Sequence, residues 1–532
     1  MPAYLTIDRL SAATPDGKPL FSDLSLALGE ETVGLVGRNG SGKSTLLAIL
    51  SGALEPLSGS ITRAGRIAML RQIQPEDGSV ADALGIAEDL ARLHRLEQGN
   101  GSVEDAGLAD WTLEQRIIDT FEKLRISGIG MDRDVASLSG GERTRLGLAA
   151  MLLAEPDVLL MDEPTNNLDA EGRAAIAELL DGWPGGALIA SHDRDLLEGV
   201  DRIVQLSPVG IVSFGGGWTD FEEARDAMRE RADADLERAT RDLRQQSAAA
   251  QRQREKKARR DKAGRAKAAK GDLPRILLGA MAERAENSSA RDNVLAERTL
   301  NDAGQAVEDA RRQVEIVTPL RIELPPANLP ANRTLLTFDG VRCALGARAL
   351  FGPLSFTITG PERIVVSGAN GSGKTTLLHL AMGLIAPSSG TITRADGALA
   401  MLDQHVTLLD PALDLVANLR MRHPEMSAGQ AHEVLARFAF RNRDALRPAG
   451  TLSGGERLRA GLAIVTAGPV PPQMLVLDEP TNHLDIDALE MLETALANYD
   501  GALLLVSHDR PFVNAVGIDR EIDLGGLGRE PE

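Results

Sequence analysis

The sequence predicts an α/β protein of two P-loop domains joined by a long α-helical hairpin linker. Three observations predict it. A Gly-rich loop of the form GxxxxGK[ST] occurs twice, as GRNGSGKS from Gly37 and GANGSGKT from Gly368. Each copy follows a β-branched apolar run, TVGLVG or RIVVSG, and opens a helical stretch, KSTLLAIL or KTTLLHLA. Strand, loop and helix in that order are the context a phosphate loop needs. Between the copies lies a segment rich in Ala, Arg, Glu and Gln, almost free of aromatic and β-branched residues, which is the composition of long helices.

The repeat runs well past the loops and sets the domain boundaries. LSGGE recurs with its serines at Ser139 and Ser453, LLMDEPTNNLD is answered by LVLDEPTNHLD, and SHDR recurs at His192 and His508. The loop glycines lie 331 residues apart and the LSGGE serines 314, so the first copy holds 17 more residues, around LARLHRLEQGNGSVEDAGLADW. The expected domains are 1–220, a linker at 221–332, and 333–532. DVLLMDE and QMLVLDE read as buried parallel strands, and GALIASHD and GALLLVSHD as the next ones. Within the linker, GRAKAAKGDLP is expected to break the helix, leaving two antiparallel arms with an irregular tip. LPPANLPAN reads as a proline-rich exit into the second domain.

Length and composition bound the function. A chain of 532 residues, 43% hydrophobic and 25% charged, can bury more than one globular core. Its single cysteine, Cys343, rules out an internal disulfide and suits a reducing, cytoplasmic setting. MPAYLTIDRL carries Asp8 and no long apolar core, so it is a poor signal peptide. No apolar stretch reaches the roughly 18–20 residues that span a bilayer, so no integral membrane segment is expected. The net charge of −19 would on average repel nucleic acid. Yet Arg252–Arg275 holds eleven Lys and Arg against three Asp and Glu, a local net of +8. Cations concentrated at the tip of a hairpin on an acidic protein suit a phosphate backbone. The tip lacks aromatics, which predicts shape and backbone contacts rather than base readout.

The motifs carry a specific chemistry. Gly37, Asn39, Gly40, Gly42 and Thr45 in the first loop, and Gly368, Asn370, Gly371, Gly373 and Thr376 in the second, would bring backbone N–H groups to phosphates at a helix N-terminus. Lys43 and Lys374 supply a point charge for the β- and γ-phosphates, and Ser44 and Thr375 a hydroxyl for Mg²⁺. Asp162 and Asp478 end apolar strands, where a carboxylate can hold the Mg²⁺ shell. Glu163 and Glu479 are the candidates for polarising the attacking water. His192 and His508 are candidate γ-phosphate sensors. Gln72 and Gln404, in IAMLRQ and LAMLDQ, are candidates for contacting Mg²⁺ or water, with Gln74 a neighbouring alternative. Ser139, Gly140 and Gly141, like Ser453, Gly454 and Gly455, open helices whose N-termini offer a second phosphate binder. Each domain already has one, so the second must serve the other domain's nucleotide. Ser453 would then cap the nucleotide at Lys43, and Ser139 the one at Lys374. The expected assembly is a functional monomer whose halves form a head-to-tail pseudo-dimer around two ATP molecules.

Together these motifs resemble those of ATP-binding cassette ATPases, which implies two ATP-binding cassette domains of the P-loop NTPase fold. Two cassettes without a membrane segment, LSGGER in place of the common LSGGQ, DEPTN(N/H)LD and a helical linker of nearly 100 residues make the whole chain resemble the ABC-F family. That resemblance implies Mg²⁺-dependent ATP hydrolysis and binding near the tRNA exit site of the ribosome. It also implies a linker that reaches ribosomal RNA and tRNA beside the peptidyl-transferase region, with closure on ATP and release on hydrolysis. The role would be regulation of translation, or relief of stalling or antibiotic inhibition. Some features depart from the pattern. SAATPDGKPLF and RCALGARALF offer no aromatic where such proteins stack one on adenine, which admits GTP as a second nucleotide; Phe21 and Phe351 read as strand or core residues. Asn167 faces His483 across the repeat, a hint of unequal sites. The 17-residue excess is either a small ribosome-contacting arm or a loop-length difference, and the short run after the second cassette predicts no sizeable nucleic-acid-binding extension there. The competing functions are a cytosolic ATPase subunit of a transporter and a DNA repair or maintenance ATPase. The long hairpin disfavours the first, and the linker's shortness against the coiled coils of such DNA proteins disfavours the second.

Overall fold

The computed structural model describes residues 3–70, 77–166, 168–207, 210–268, 297–314, 320–345, 348–482 and 484–524. The chain divides into two compact units, Met1–Phe221 with Leu320–Glu532, and Glu222–Pro319. The two halves of the repeat therefore share one unit and the linker forms the other.

Each half has a mostly parallel central sheet. In the first, the strand order is Ile67–Leu70, Val158–Asp162, Gly186–Ala190, Thr32–Val36, Arg202–Ser207 and Gly210–Gly215, parallel except for the last pair. In the second it is Leu399–Leu402, Met474–Asp478, Ala502–Val506, Arg363–Ser367 and Arg520–Asp523, all parallel. Every residue of Val158–Asp162, Gly186–Ala190, Met474–Asp478 and Ala502–Val506 is buried. Covering both faces of a parallel sheet requires such unbroken apolar runs. A three-stranded antiparallel sheet accompanies each: Pro19–Leu28, Leu5–Ala13 and Ser58–Arg63 in one half, Arg348–Thr359, Thr334–Leu345 and Ser389–Arg394 in the other.

The helix after each phosphate loop, Lys43–Ser51 or Lys374–Met382, is caught between these sheets. Leu46, Leu47, Ile49 and Leu50 join one core with Leu5, Ile7 and Phe21 on one side and Val158, Leu160 and Leu188 on the other. On the far face of the central sheet lies the helix that follows LSGGE, Gly140–Leu153 or Gly454–Thr466. The excess of the first half falls among helices Ala87–Glu97, Val103–Leu108 and Leu113–Lys123. Helix Val103–Leu108 is fixed by a Ser102–Asp105 capping box, and Asp105 Oδ1 lies 2.5 Å from Arg95.

The linker unit contains helix Trp218–Ala268, 51 residues long, and a helix over 297–314. The two flank a shared groove lined by Arg238, Asp242, Asp302 and Ala306. The first helix runs through Gly264 to Ala268, inside the GRAKAAKGDLP string expected to break it; one glycine costs only about 1 kcal/mol in a helix. Gly271, Pro274 and the expected tip lie outside the described residues. The proline-rich exit packs on the second half, where Ile322 and Ala327 are buried in its core. Asp500 accepts hydrogen bonds from the backbone N–H groups of Ala327 (2.6 Å) and Asn328 (3.1 Å).

Candidate active sites

The topology explains how residues over a hundred positions apart meet. The strands ending at Asp162, Ala190 and Val36 are neighbours, so the turns that leave their C-terminal ends form one edge. That edge is where parallel α/β sheets bind ligands. It carries the first phosphate loop, Asp162 with Glu163, and His192; the second half repeats it with Asp478, Glu479 and His508.

The loops are built for close backbone approach. Gly37, Gly40 and Gly42 have φ of 158°, 79° and 98°, and Gly368, Gly371 and Gly373 have 144°, 78° and 97°. A Cβ on Gly42 would stand 3.1 Å from the Phe21 ring, and one on Gly373 3.0 Å from Phe351. These phenylalanines, 1% and 3% exposed, are core residues that brace the loops from below. Lys43 Nζ donates to Gly37 O at 2.7 Å, and Lys374 Nζ to Gly368 O at 2.8 Å. Burial pulls both lysines below their ordinary pKa, against the nearby Glu and Asp charges. The Ser44 and Thr375 hydroxyls donate to Asp162 and Asp478, whose pKa values burial nonetheless raises.

Burial dominates the next shell as well. It pushes Glu163 up to about 8 and Glu479 to about 7, against the pull of Lys43 and Lys374 respectively. It takes His192 well below its usual value and His508 to about 4, so both rings are neutral. His192 Nε2 is 3.3 Å from Glu163 Oε1, and His508 Nε2 3.5 Å from Glu479 Oε1, both without hydrogen-bond alignment. Glu163 and Glu479 have left-handed backbones, φ 50° and 45°, where non-glycine residues are strained. Their N–H groups donate to Ala190 O (2.8 Å) and Val506 O (2.9 Å), which pins each glutamate beside the histidine-bearing strand.

A nucleotide with its metal fits these residues. Ser41 Oγ, Ser372 Oγ, both ring nitrogens of His192 and Nε2 of His508 are buried polar atoms without hydrogen-bond partners, gathered around each loop. Such groups are costly unless something polar meets them. Gly40 and Gly371 face open space at the mouths of the loops. Thr45 and Thr376 lie in the first turns of the following helices. Gln404 is half-buried just past strand Leu399–Leu402. Gln72, Gln74, Asn167 and His483 lie outside the described residues.

Ser139 and Ser453 occupy helix N-caps. Each Oγ accepts from the backbone N–H of Glu142 or Glu456 at 3.3 Å, and each glutamate accepts in return from the serine N–H. Gly455 is required for packing, since a Cβ there would meet Ala488 Cβ at 2.7 Å. One contact between the halves joins an expected site residue, Asn39, to one that was not expected, Asp485. Asp485, N-cap of helix Ile486–Ala497, accepts from Asn39 N–H at 2.7 Å and its charge reaches Lys43. Reciprocally, the charge of Asp169, N-cap of helix Ala170–Asp181, acts on Lys374. An Asp at the end of both DEPTNxLD strings was the available signal. The halves are thus arranged head to tail, each phosphate loop facing the other half's Asp.

The sequence profile described as "ABC transporter" matches residues 21–166 and 351–482, one match per half. The Mycobacterium tuberculosis protein named energy-dependent translational throttle protein EttA is 31% identical over 517 residues, 91% of this chain and 84% of that one. The chain belongs to the ABC-F family of tandem ATP-binding cassette proteins. The Streptomyces fradiae tylosin resistance ATP-binding protein TlrC, 30% identical, is matched over 93% of both chains. Among solved structures, an archaeal ribosome recycling factor, aABCE1, crystallised with the ribosomal stalk protein aP1, superposes with a TM-score of 0.56. It is 19% identical, with 97% of this chain and 87% of that one covered, and it shares the fold. Among the described residues of this ABC-F protein no helix is long and apolar enough to cross a membrane.

Proposed function

We propose that this ABC-F protein binds and hydrolyses two Mg²⁺–ATP at composite sites between its cassettes and uses their closure on the ribosome. The observation that carries the reading is the Asn39–Asp485 contact, which completes one cassette's phosphate loop with the other's acidic cap. Bound ATP would meet the loop N–H groups, with Lys43 or Lys374 on the β- and γ-phosphates. Mg²⁺ would be held by Ser44 and Asp162, or Thr375 and Asp478, and would supply charge neutralisation of the transferring phosphate. Glu163 and Glu479 orient water, and His192 and His508 contact the γ-phosphate. Ser453 and Ser139 cap the nucleotide from the opposite cassette. The basic end of the linker meets ribosomal RNA and tRNA through their backbones. The translational role draws support from the names of the relatives, one a translational throttle and one a resistance protein.

The test is a purified translation reaction given the Glu163→Gln/Glu479→Gln double variant with ATP. The variant should retain ATP, lose turnover by at least about 100-fold, and arrest peptide synthesis that the wild-type protein leaves running. Normal turnover in the double variant would refute the catalytic assignment. Lost turnover with unimpeded synthesis would leave the ATPase and refute the ribosomal role.

A further inference from the structure

The two cassettes are not joined symmetrically. Arg194, two residues beyond His192, makes a bidentate pair with Glu493 of the second cassette, at 2.7 and 3.1 Å. Both side chains are about nine-tenths buried, at 10% and 12% exposed, and the guanidinium lies 5.3 Å from the centre of the Trp218 ring. Arg38, inside the first phosphate loop, pairs with Asp487 at 2.6 Å, with the two side chains 50% and 25% exposed. Glu493 and Asp487 stand on one helix, Ile486–Ala497, which Asp485 caps. Four hydrogen bonds therefore tie that helix and its cap to the first phosphate loop and the turn after His192.

Among the described residues the repeat supplies no matching ion pair on the other side. Arg510 is the equivalent of Arg194, but the position of Glu493 is taken by Ala177. The equivalent of Arg38 is Ala369, and the equivalent of Asp487 is Glu171, which is 3.9 Å from Arg125 of its own cassette. A third difference is a cation at the junction, whose charge also acts on Glu479 and His508 of the second cassette. Arg173 holds Asp193 at 3.0 Å, whereas the second cassette has Leu489 in that place. Ile486 also packs into a small core with Val36, Leu197, Trp218 and Phe221. Val36 ends the strand that enters the first phosphate loop, and Leu197 lies on the helix after His192.

We propose that the site built on Lys43 is latched by the Arg194–Glu493 and Arg38–Asp487 pairs, and that the site built on Lys374 opens first and exchanges its nucleotide faster. The inference rests on the reading of both loops as ATP sites. The buried bidentate pair is the main latch, because removing one partner strands a charge, while a half-exposed pair contributes little. Asn39 and Asp485 close the Lys43 site, and the two pairs hold that closure from both flanks. Opening it must part Arg194 from Glu493; opening the Lys374 site breaks no equivalent ion pair among the described residues.

A fluorescent ATP analogue, mant-ATP, loaded into the Glu163→Gln/Glu479→Gln protein and chased with unlabelled ATP, tests this. Release should show two phases of similar amplitude. Lys43→Ala should remove the slow phase and Lys374→Ala the fast one. Glu493→Gln should accelerate the slow phase by about 10-fold and leave the fast phase in place. If Glu493→Gln does not fold, Asp487→Asn, on the exposed flank, should give a smaller acceleration of the same phase. Release in one phase, a slow phase that belongs to Lys374, or a slow phase unmoved in a folded Glu493→Gln or Asp487→Asn protein would overturn the latch. A parent protein that holds no mant-ATP would instead overturn the ATP-binding reading beneath it.

Discussion

At the scale of single residues, the phosphate loops separate two demands on glycine. Gly42 has a left-handed backbone and no room for a side chain, because the Phe21 ring is beneath it. Gly40 has a left-handed backbone but open space. Gly42→Ala is therefore expected to destabilise the fold by about 2–4 kcal/mol and Gly40→Ala by about 1 kcal/mol, as read by urea denaturation. Equal costs would mean that Phe21 yields. The identities of Lys43, Ser44, Asp162, Glu163 and His192, and of their counterparts, were legible in the sequence because each sits in a short motif repeated in order. The partners across the junction were not. Arg194 and Glu493 are 299 positions apart, and nothing local to either marks it as half of a pair. Asp485 was hidden differently, since an Asp before a helix reads first as a cap, and here one carboxylate caps with Oδ1 and reaches Asn39 with Oδ2.

At the scale of elements, the helices that follow LSGGE depend on their capping boxes. The Ser139 N–H holds Glu142 below its ordinary pKa, partly offset by burial. Burial pushes Glu456 up, but Arg447 at 2.6 Å, together with the Ser453 N–H, leaves it lowered overall. A carboxylate whose folded pKa is depressed contributes stability above its unfolded pKa, ~4.3, and loses it as pH falls through the folded value. Glu456→Gln should therefore be less stable than wild type at pH 7, with the gap closing as pH falls below ~4. Thermal melts across that range check it; a gap independent of pH would show that the charge is irrelevant. Ser453→Ala should cost about 1 kcal/mol in the same assay. The strands and these helices were legible from apolar runs and cap residues. The first linker helix was legible from its Ala, Arg and Glu content; it is described to Ala268, and the rest of the string expected to break it lies outside the described residues.

At the scale of the whole molecule, one chain carries both cassettes, so the proposed closure would be intramolecular and independent of protein concentration. On the proposed function, the acidic average would discourage non-specific binding and the basic linker segment would direct contact. Replacing Arg252, Arg254, Lys256 and Arg259 with Gln should weaken ribosome binding and reduce its salt slope by roughly 3–4, leaving ATP turnover in the free protein unchanged. An unchanged slope would remove these cations from the contact. The most direct measurement is sedimentation of the Glu163→Gln/Glu479→Gln protein through sucrose from a cell lysate, with ATP or with ADP. The account predicts co-migration with ribosomes or polysomes in ATP and its loss in ADP. Absence from ribosomes in ATP, with the protein on membranes or DNA instead, would contradict it.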